Sequence, residues 1–110
     1  MLRFKHYLRK GDFRVPFCTI CRERVWPPFE LCPNCFSKTS LKRISRTGIL
    51  VEFSSDFLSG DNQVFGIVDF KGIFLLGSLQ GNDFFPGCKV IMYDCGIDDD
   101  DGIFYKFKRC

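Results

Sequence analysis

Cys18 and Cys21, in CTIC, and Cys32 and Cys35, in CPNC, form two C-x-x-C pairs separated by ten residues. The short turn inside each pair aims both side chains the same way, so each pair can bring two sulfurs onto one ion. Two such turns facing each other complete a tetrahedral thiolate cage, the usual structural site for zinc. The expected chemistry of Cys18, Cys21, Cys32 and Cys35 is therefore ligation of a structural zinc. An iron centre of the rubredoxin kind uses the same four ligands and stays open as the alternative. Disulfides would need an oxidising compartment, and MLRFKHYLRK lacks the apolar run of a secretory signal. A thioredoxin-like redox pair would need a βαβ setting, which the pattern does not offer. Glycine often follows each pair of a zinc knuckle, yet here Arg22 and Phe36 stand there. A positive φ at such residues costs about 1 kcal/mol each. Structural zinc contributes on the order of 10 kcal/mol or more, so the knuckles can carry that strain.

The other chemistry-bearing residues point away from catalysis. Four thiolates leave no open metal position. The only histidine, His6, lies in the leading segment and has no Ser/Asp or Cys partner pattern. No Gly-rich phosphate loop is present. Cys88, Cys95 and Cys110 lack a C-x-x-C partner and read as free thiols in a reducing cytoplasm. The run Asp98-Asp99-Asp100-Asp101 lacks the spacing and closing glutamate of an EF-hand, so it reads as a solvated hairpin tip.

The chain has 110 residues and 45% hydrophobic residues, enough for one ordinary domain or for a metal-stapled module plus a small one. No apolar stretch reaches the roughly 18 residues of a membrane span. The net charge of +3 is divided unevenly. Residues 1–46 hold eleven Lys/Arg against three Asp/Glu, a balance of +8, and residues 47–110 hold five against ten, a balance of −5.

Three segments must position these groups. Residues 1–14 read as a short helix with Phe4, Tyr7 and Leu8 on one face, ended at Lys10-Gly11-Asp12. Residues 15–44 read as the zinc ribbon. Val15-Pro16-Phe17 leads in, Arg24-Val25-Trp26 returns as a strand, Pro27-Pro28 breaks the ladder, and Ser40 to Ile44 forms an exit strand. Trp26, Phe29 and Phe36 crowd a ribbon with almost no interior, so some must pack on the helix, the barrel or a partner. Residues 45–110 read as strands and turns. The strands are Gly48 to Phe53, Val64 to Phe70, Ile73 to Leu79, Lys89 to Tyr93 and Ile103 to Phe107, with a loop at Ser59 to Asn62 and a tight hairpin at Lys71-Gly72. Five short strands ended by glycine predict an OB-fold barrel, with Gly48 and Gly77 marking barrel corners or bulges. The fold class expected is thus mostly β: a short N-terminal helix, a rubredoxin-like zinc ribbon and a C-terminal five-stranded OB-fold.

The order of parts resembles a family of small archaeal and bacterial proteins that join a rubredoxin-like zinc ribbon to an OB-fold and accompany acyl-CoA enzymes. The matching stretch runs from Phe17-Cys18-Thr19-Ile20-Cys21 through Trp26-Pro27-Pro28 to Leu31-Cys32-Pro33-Asn34-Cys35, then Thr47-Gly48. Members typically carry a longer helical lead, a glycine after each cysteine pair and an arginine after the double proline. This chain has a shorter lead, Arg22 and Phe36 after the pairs, and Phe29 after Pro28. The resemblance implies a non-catalytic scaffold. It would bridge acetoacetyl-CoA thiolase and hydroxymethylglutaryl-CoA synthase of the mevalonate pathway and help enclose coenzyme A, a ligand shared between the active sites.

The residues fit such a role. Arg9, Lys10, Arg14, Arg22, Arg24, Lys42 and Arg43 can meet an acidic enzyme face or the phosphates of coenzyme A. Trp26, Pro27, Pro28 and Phe29 can anchor a protein interface. The alternative is a single-stranded nucleic-acid-binding protein, since zinc ribbons and OB-folds both occur in that class. The net negative barrel opposes it, because phosphate would be repelled there.

Overall fold

The computed structural model describes residues 3–56 and 63–110 and divides into two compact units, Met1–Ile44 and Ser45–Cys110. The loop expected at Ser59 to Asn62 lies outside the described residues. No described helix is long and apolar enough to cross a membrane.

The first unit opens with helix α1 (Phe4–Leu8), followed by strands β1 (Arg14–Cys18), β2 (Glu23–Arg24) and β3 (Ser40–Arg43). The helix is much shorter than residues 1–14. Its end is set where the sequence placed it. Gly11, at φ 73, donates from N–H to the Leu8 carbonyl at 2.9 Å, and the Asp12 N–H donates to the Tyr7 carbonyl at 3.0 Å. These are the two bonds of a Schellman motif, whose left-handed residue is cheapest as glycine. The helix buries Phe4 and Leu8 with Phe13, Val15 and Val25. Trp26 meets Phe4 and Phe13 edge-on, with ring centroids 5.7 and 6.2 Å away.

The three strands form an antiparallel sheet in the order β2-β1-β3. The returning strand is shorter than expected, ending at Arg24, although the Val25 N–H still donates to the Pro16 carbonyl at 2.8 Å. Asp12 ties β1 to β3. Its carboxylate accepts from Arg14 Nε and, through both oxygens, from the Arg43 guanidinium, each at 3.0 Å. The Arg43 and Arg14 hydrogen bonds pull the Asp12 pKa down to about 2.

The second unit is a closed barrel of β4 (Thr47–Asp56), β5 (Gln63–Phe70), β6 (Ile73–Gln80), β7 (Lys89–Ile97) and β8 (Ile103–Arg109). Its order is β4-β5-β6-β8-β7, with β7 returning to β4 and β6 parallel to β8. This is the five-stranded OB arrangement. Leu50, Val68, Leu75, Val90, Met92 and Phe107 fill it. The hairpin between β5 and β6 turns through Lys71 and Gly72, both at positive φ, as a type I′ turn demands. The Asp69 carboxylate accepts from the Gly72 N–H at 2.6 Å.

The glycines expected at corners or bulges mark close approach. A Cβ on Gly77 would lie 2.4 Å from the Tyr105 carbonyl oxygen, and one on Gly48 2.6 Å from Val68 Cγ1. The bulges fall instead between Leu50 and Glu52 and between Met92 and Asp94. The aspartate run forms the β7–β8 turn, where Asp98 Oδ1 accepts from the N–H groups of Asp100 and Gly102 at 3.0 and 2.8 Å. Cys88 and Cys95 are buried and Cys110 is exposed, and none of the three forms a disulfide among the described residues.

Candidate metal centre

Cys18 closes β1, so its sulfur is held by the sheet and buried. The chain then turns sharply. The Arg22 N–H donates to the Cys18 carbonyl at 2.7 Å, and the Cys21 N–H donates to Cys18 Sγ at 3.3 Å. The second knuckle repeats this turn, with the Phe36 N–H donating to the Cys32 carbonyl at 2.8 Å. A small hairpin frames it. Leu31 bridges Lys38, Thr39 N–H donates to the Glu30 carbonyl at 2.8 Å, and Thr39 Oγ1 donates to the Phe29 carbonyl at 2.9 Å. Arg22 and Phe36 sit at φ 57 and 60, the left-handed region expected just after each pair.

The four sulfurs converge within 4.8 Å of one another. Cys18 Sγ lies 3.5 Å from Cys35 Sγ, and Cys32 Sγ lies 3.8 Å from Cys21 Sγ. Zinc–sulfur bonds of about 2.3 Å put the corners of a tetrahedron about 3.8 Å apart, so the spacing fits the ion. The sulfurs lie close enough to perturb one another strongly. Hydrogen bonding to Cys35 and Cys32, followed by burial, pushes the Cys21 thiol up to about 12. Hydrogen bonds from the Ser37 side chain and backbone pull Cys35 down to about 6. Four thiolates cannot share this space without a cation, and a dication relieves their repulsion. The four cysteines can therefore bind a zinc ion. Ser37, which sequence reasoning passed over, hydrogen-bonds to the Cys35 sulfur.

The other predicted contact residues sit in different surroundings. Trp26 is half-buried against Phe4 and Phe13, so it takes the helix side among the packing partners open to it. Arg43 is held by Asp12, and the Lys42 ammonium lies 4.2 Å from the Phe17 ring centroid. Arg22, Pro27 and Phe29 are exposed, while Arg24 and Pro28 are half-buried. A cavity of about 490 Å³ opens elsewhere on the ribbon, lined among others by Arg3, Tyr7, Arg14, Glu30, Lys38 and Leu41. None of the expected ribbon contacts except Arg14 reaches it. No local pattern marks it, since its walls come from remote segments.

No family model matches the chain, and no curated protein does. Two solved structures share its fold over nearly its whole length. A chain of the Ltp2–ChsH2(DUF35) aldolase aligns with a TM-score of 0.76 at 18% identity, covering 96% of this chain and 91% of that one. A protein of unknown function from the DUF35 family of Sulfolobus solfataricus aligns with a TM-score of 0.66 at 17% identity, covering 98% and 83%. At such identities the likeness establishes the fold alone.

Proposed function

We propose that this chain is a non-catalytic, zinc-stapled accessory subunit of an acyl-CoA enzyme complex. Its partners would be acetoacetyl-CoA thiolase and hydroxymethylglutaryl-CoA synthase, which it bridges in the cytoplasm while helping to enclose coenzyme A. The observation that carries this reading is the full-length likeness to a chain of the Ltp2–ChsH2(DUF35) aldolase. The cysteine cluster supports it, because four thiolate ligands fill the sphere of one zinc and leave the metal a structural part. The uphill thiolase step gains from direct transfer of its product, and a stiff adaptor raises the effective concentration of the second enzyme.

The test is affinity purification of the tagged chain from its native cell, with mass spectrometry of what it brings down. Both enzymes should be recovered, and the purified chain should show neither activity alone. Recovery of neither enzyme, with RNA released by salt in their place, would overturn the reading in favour of nucleic-acid binding.

A further inference from the structure

β6 pairs with β5 along almost its whole length, from Ile73 opposite Phe70 to Leu79 opposite Val64. On its other side it meets β8 only at Ser78, Leu79 and Gln80. β8 pairs with β7 from Ile103 onward. The parallel ladder between β6 and β8 thus stops at Ser78, just beyond the tight crossing of Gly77 over the Tyr105 carbonyl. Upstream of that crossing, residues 73–76 and 103–104 are two strand edges with no ladder between them. Among the described residues, 73–76 form no backbone hydrogen bond outside the β5 ladder.

These edges are dressed for contact. Phe74 is 56% exposed, Leu76 66% and Ile103 43%. A cavity of about 770 Å³ runs from the crossing to the near end of the seam, where Leu76, Ile103 and Phe104 line it. Natural sheets guard an open edge with lysine, proline or a bulge. Ile73-Phe74-Leu75-Leu76-Gly77 has no charge and no proline, and the bulges of this barrel lie on β4 and β7. The acidic charge gathers at one end of the seam, while Lys106 lines the cavity at the other. Both strands begin at the same end, where Asp98, Asp99, Asp100 and Asp101 precede Ile103, and Asp69 and Lys71 precede Ile73.

We propose that the seam between the first halves of β6 and β8 is a strand-addition site. Its occupant is an extended segment of a partner protein, apolar at alternate positions and basic at the end that meets Asp98, Asp99, Asp100 and Asp101. Main-chain hydrogen bonds to the open edge supply affinity, and pockets beside Leu76 and Phe104 select the alternate side chains. This deepens the accessory reading by naming a docking surface. It rests on that reading only in taking the occupant to be a partner protein.

The probe is a blocked peptide, KKVTVTV, added to the full chain and followed by amide NMR and hydrogen exchange. A control, KKVPVPV, keeps the charge and apolar positions but removes two N–H donors. The first peptide should slow exchange at Phe74, Leu76 and Ile103 by about tenfold or more, and the control should not. Leu76→Glu and Phe74→Lys change exposed side chains, so they should abolish the effect and leave the remaining amide spectrum as it was. Equal protection by the control, protection elsewhere, or no protection overturns the proposal. So does protection that appears in the free chain as its concentration rises, which would assign the seam to a second copy. Failure to recover the two enzymes from cells bears on the accessory reading and leaves the peptide result standing.

Discussion

Replacing Cys32 with serine should release the metal and unfold the first unit while the barrel stays folded. Cys32 is buried, and its sulfur lies 3.8 Å from that of Cys21. A serine hydroxyl keeps its proton at neutral pH and is a poor zinc ligand beside three thiolates. Structural zinc is worth about 10–16 kcal/mol in comparable sites, as much as the whole net stability of an ordinary domain, about 5–15 kcal/mol. The ribbon's apolar core rests on few large side chains, chiefly Phe4, Leu8, Phe13, Val15 and Val25, and cannot replace that contribution. The assay is local, because Trp26 is the only tryptophan and packs between Phe4 and Phe13. In the variant its emission should move to that of the denatured chain, while the far-ultraviolet signal of the barrel strands persists. Elemental analysis of the reduced protein should fall from about one zinc per chain to none. Full zinc with unchanged Trp26 melting in Cys32→Ser would refute the cage, and iron in place of zinc in the parent would correct the metal.

Two further perturbations test how the sheets are held. Gly77→Ala places a methyl carbon 2.4 Å from the Tyr105 carbonyl oxygen, so β6 and β8 must part. The barrel should lose about 1–3 kcal/mol in urea unfolding, and an unchanged midpoint would show that the crossing is slack. Asp12→Asn removes the charge that joins Arg14 to Arg43 and should cost the first unit less than about 1 kcal/mol at pH 7, because Arg43 is largely exposed, with a smaller loss in high salt. The Asp12 pKa is depressed to about 2, so its contribution is complete above the unfolded value near 4 and fades as pH falls through 2. A cost for Asp12→Asn that persists unchanged in 1 M salt would show that packing, not charge, sets the effect.

The cysteine spacing made the ribbon legible, because C-x-x-C geometry is a local property of a short turn. Gly11 and the Lys71-Gly72 hairpin were legible for the same reason, since a positive φ is chosen by the residue that occupies it. What sequence hid were the places where the period breaks. In β7, Val90 and Met92 are buried at even spacing, but the bulge beyond Met92 shifts the phase and buries Cys95 three positions on. The strand expected to end at Tyr93 therefore runs on through Asp94, Cys95 and Gly96 to Ile97. The β4 bulge likewise leaves positions 51 to 54 all exposed after buried Leu50. Which of its possible partners Trp26 takes was hidden for a different reason, because Phe4 and Phe13 come from a segment remote from it in sequence.

The two units solve the problem of small size in opposite ways. The barrel closes its sheet and buries a continuous apolar interior, so its stability is spread over many side chains. The ribbon gathers its stability at one cluster of four sulfurs, with Phe36 73% and Phe29 59% exposed. A fold held by ligand bonds does not need those aromatics for its own core. They remain available as rigid apolar surface in a part of the chain, residues 1–46, that balances at +8, as an interface requires. Restoring glycine at position 36, where φ is already 60, would keep the knuckle and delete the ring. Such a change separates what the metal does for folding from what the exposed surface does for assembly.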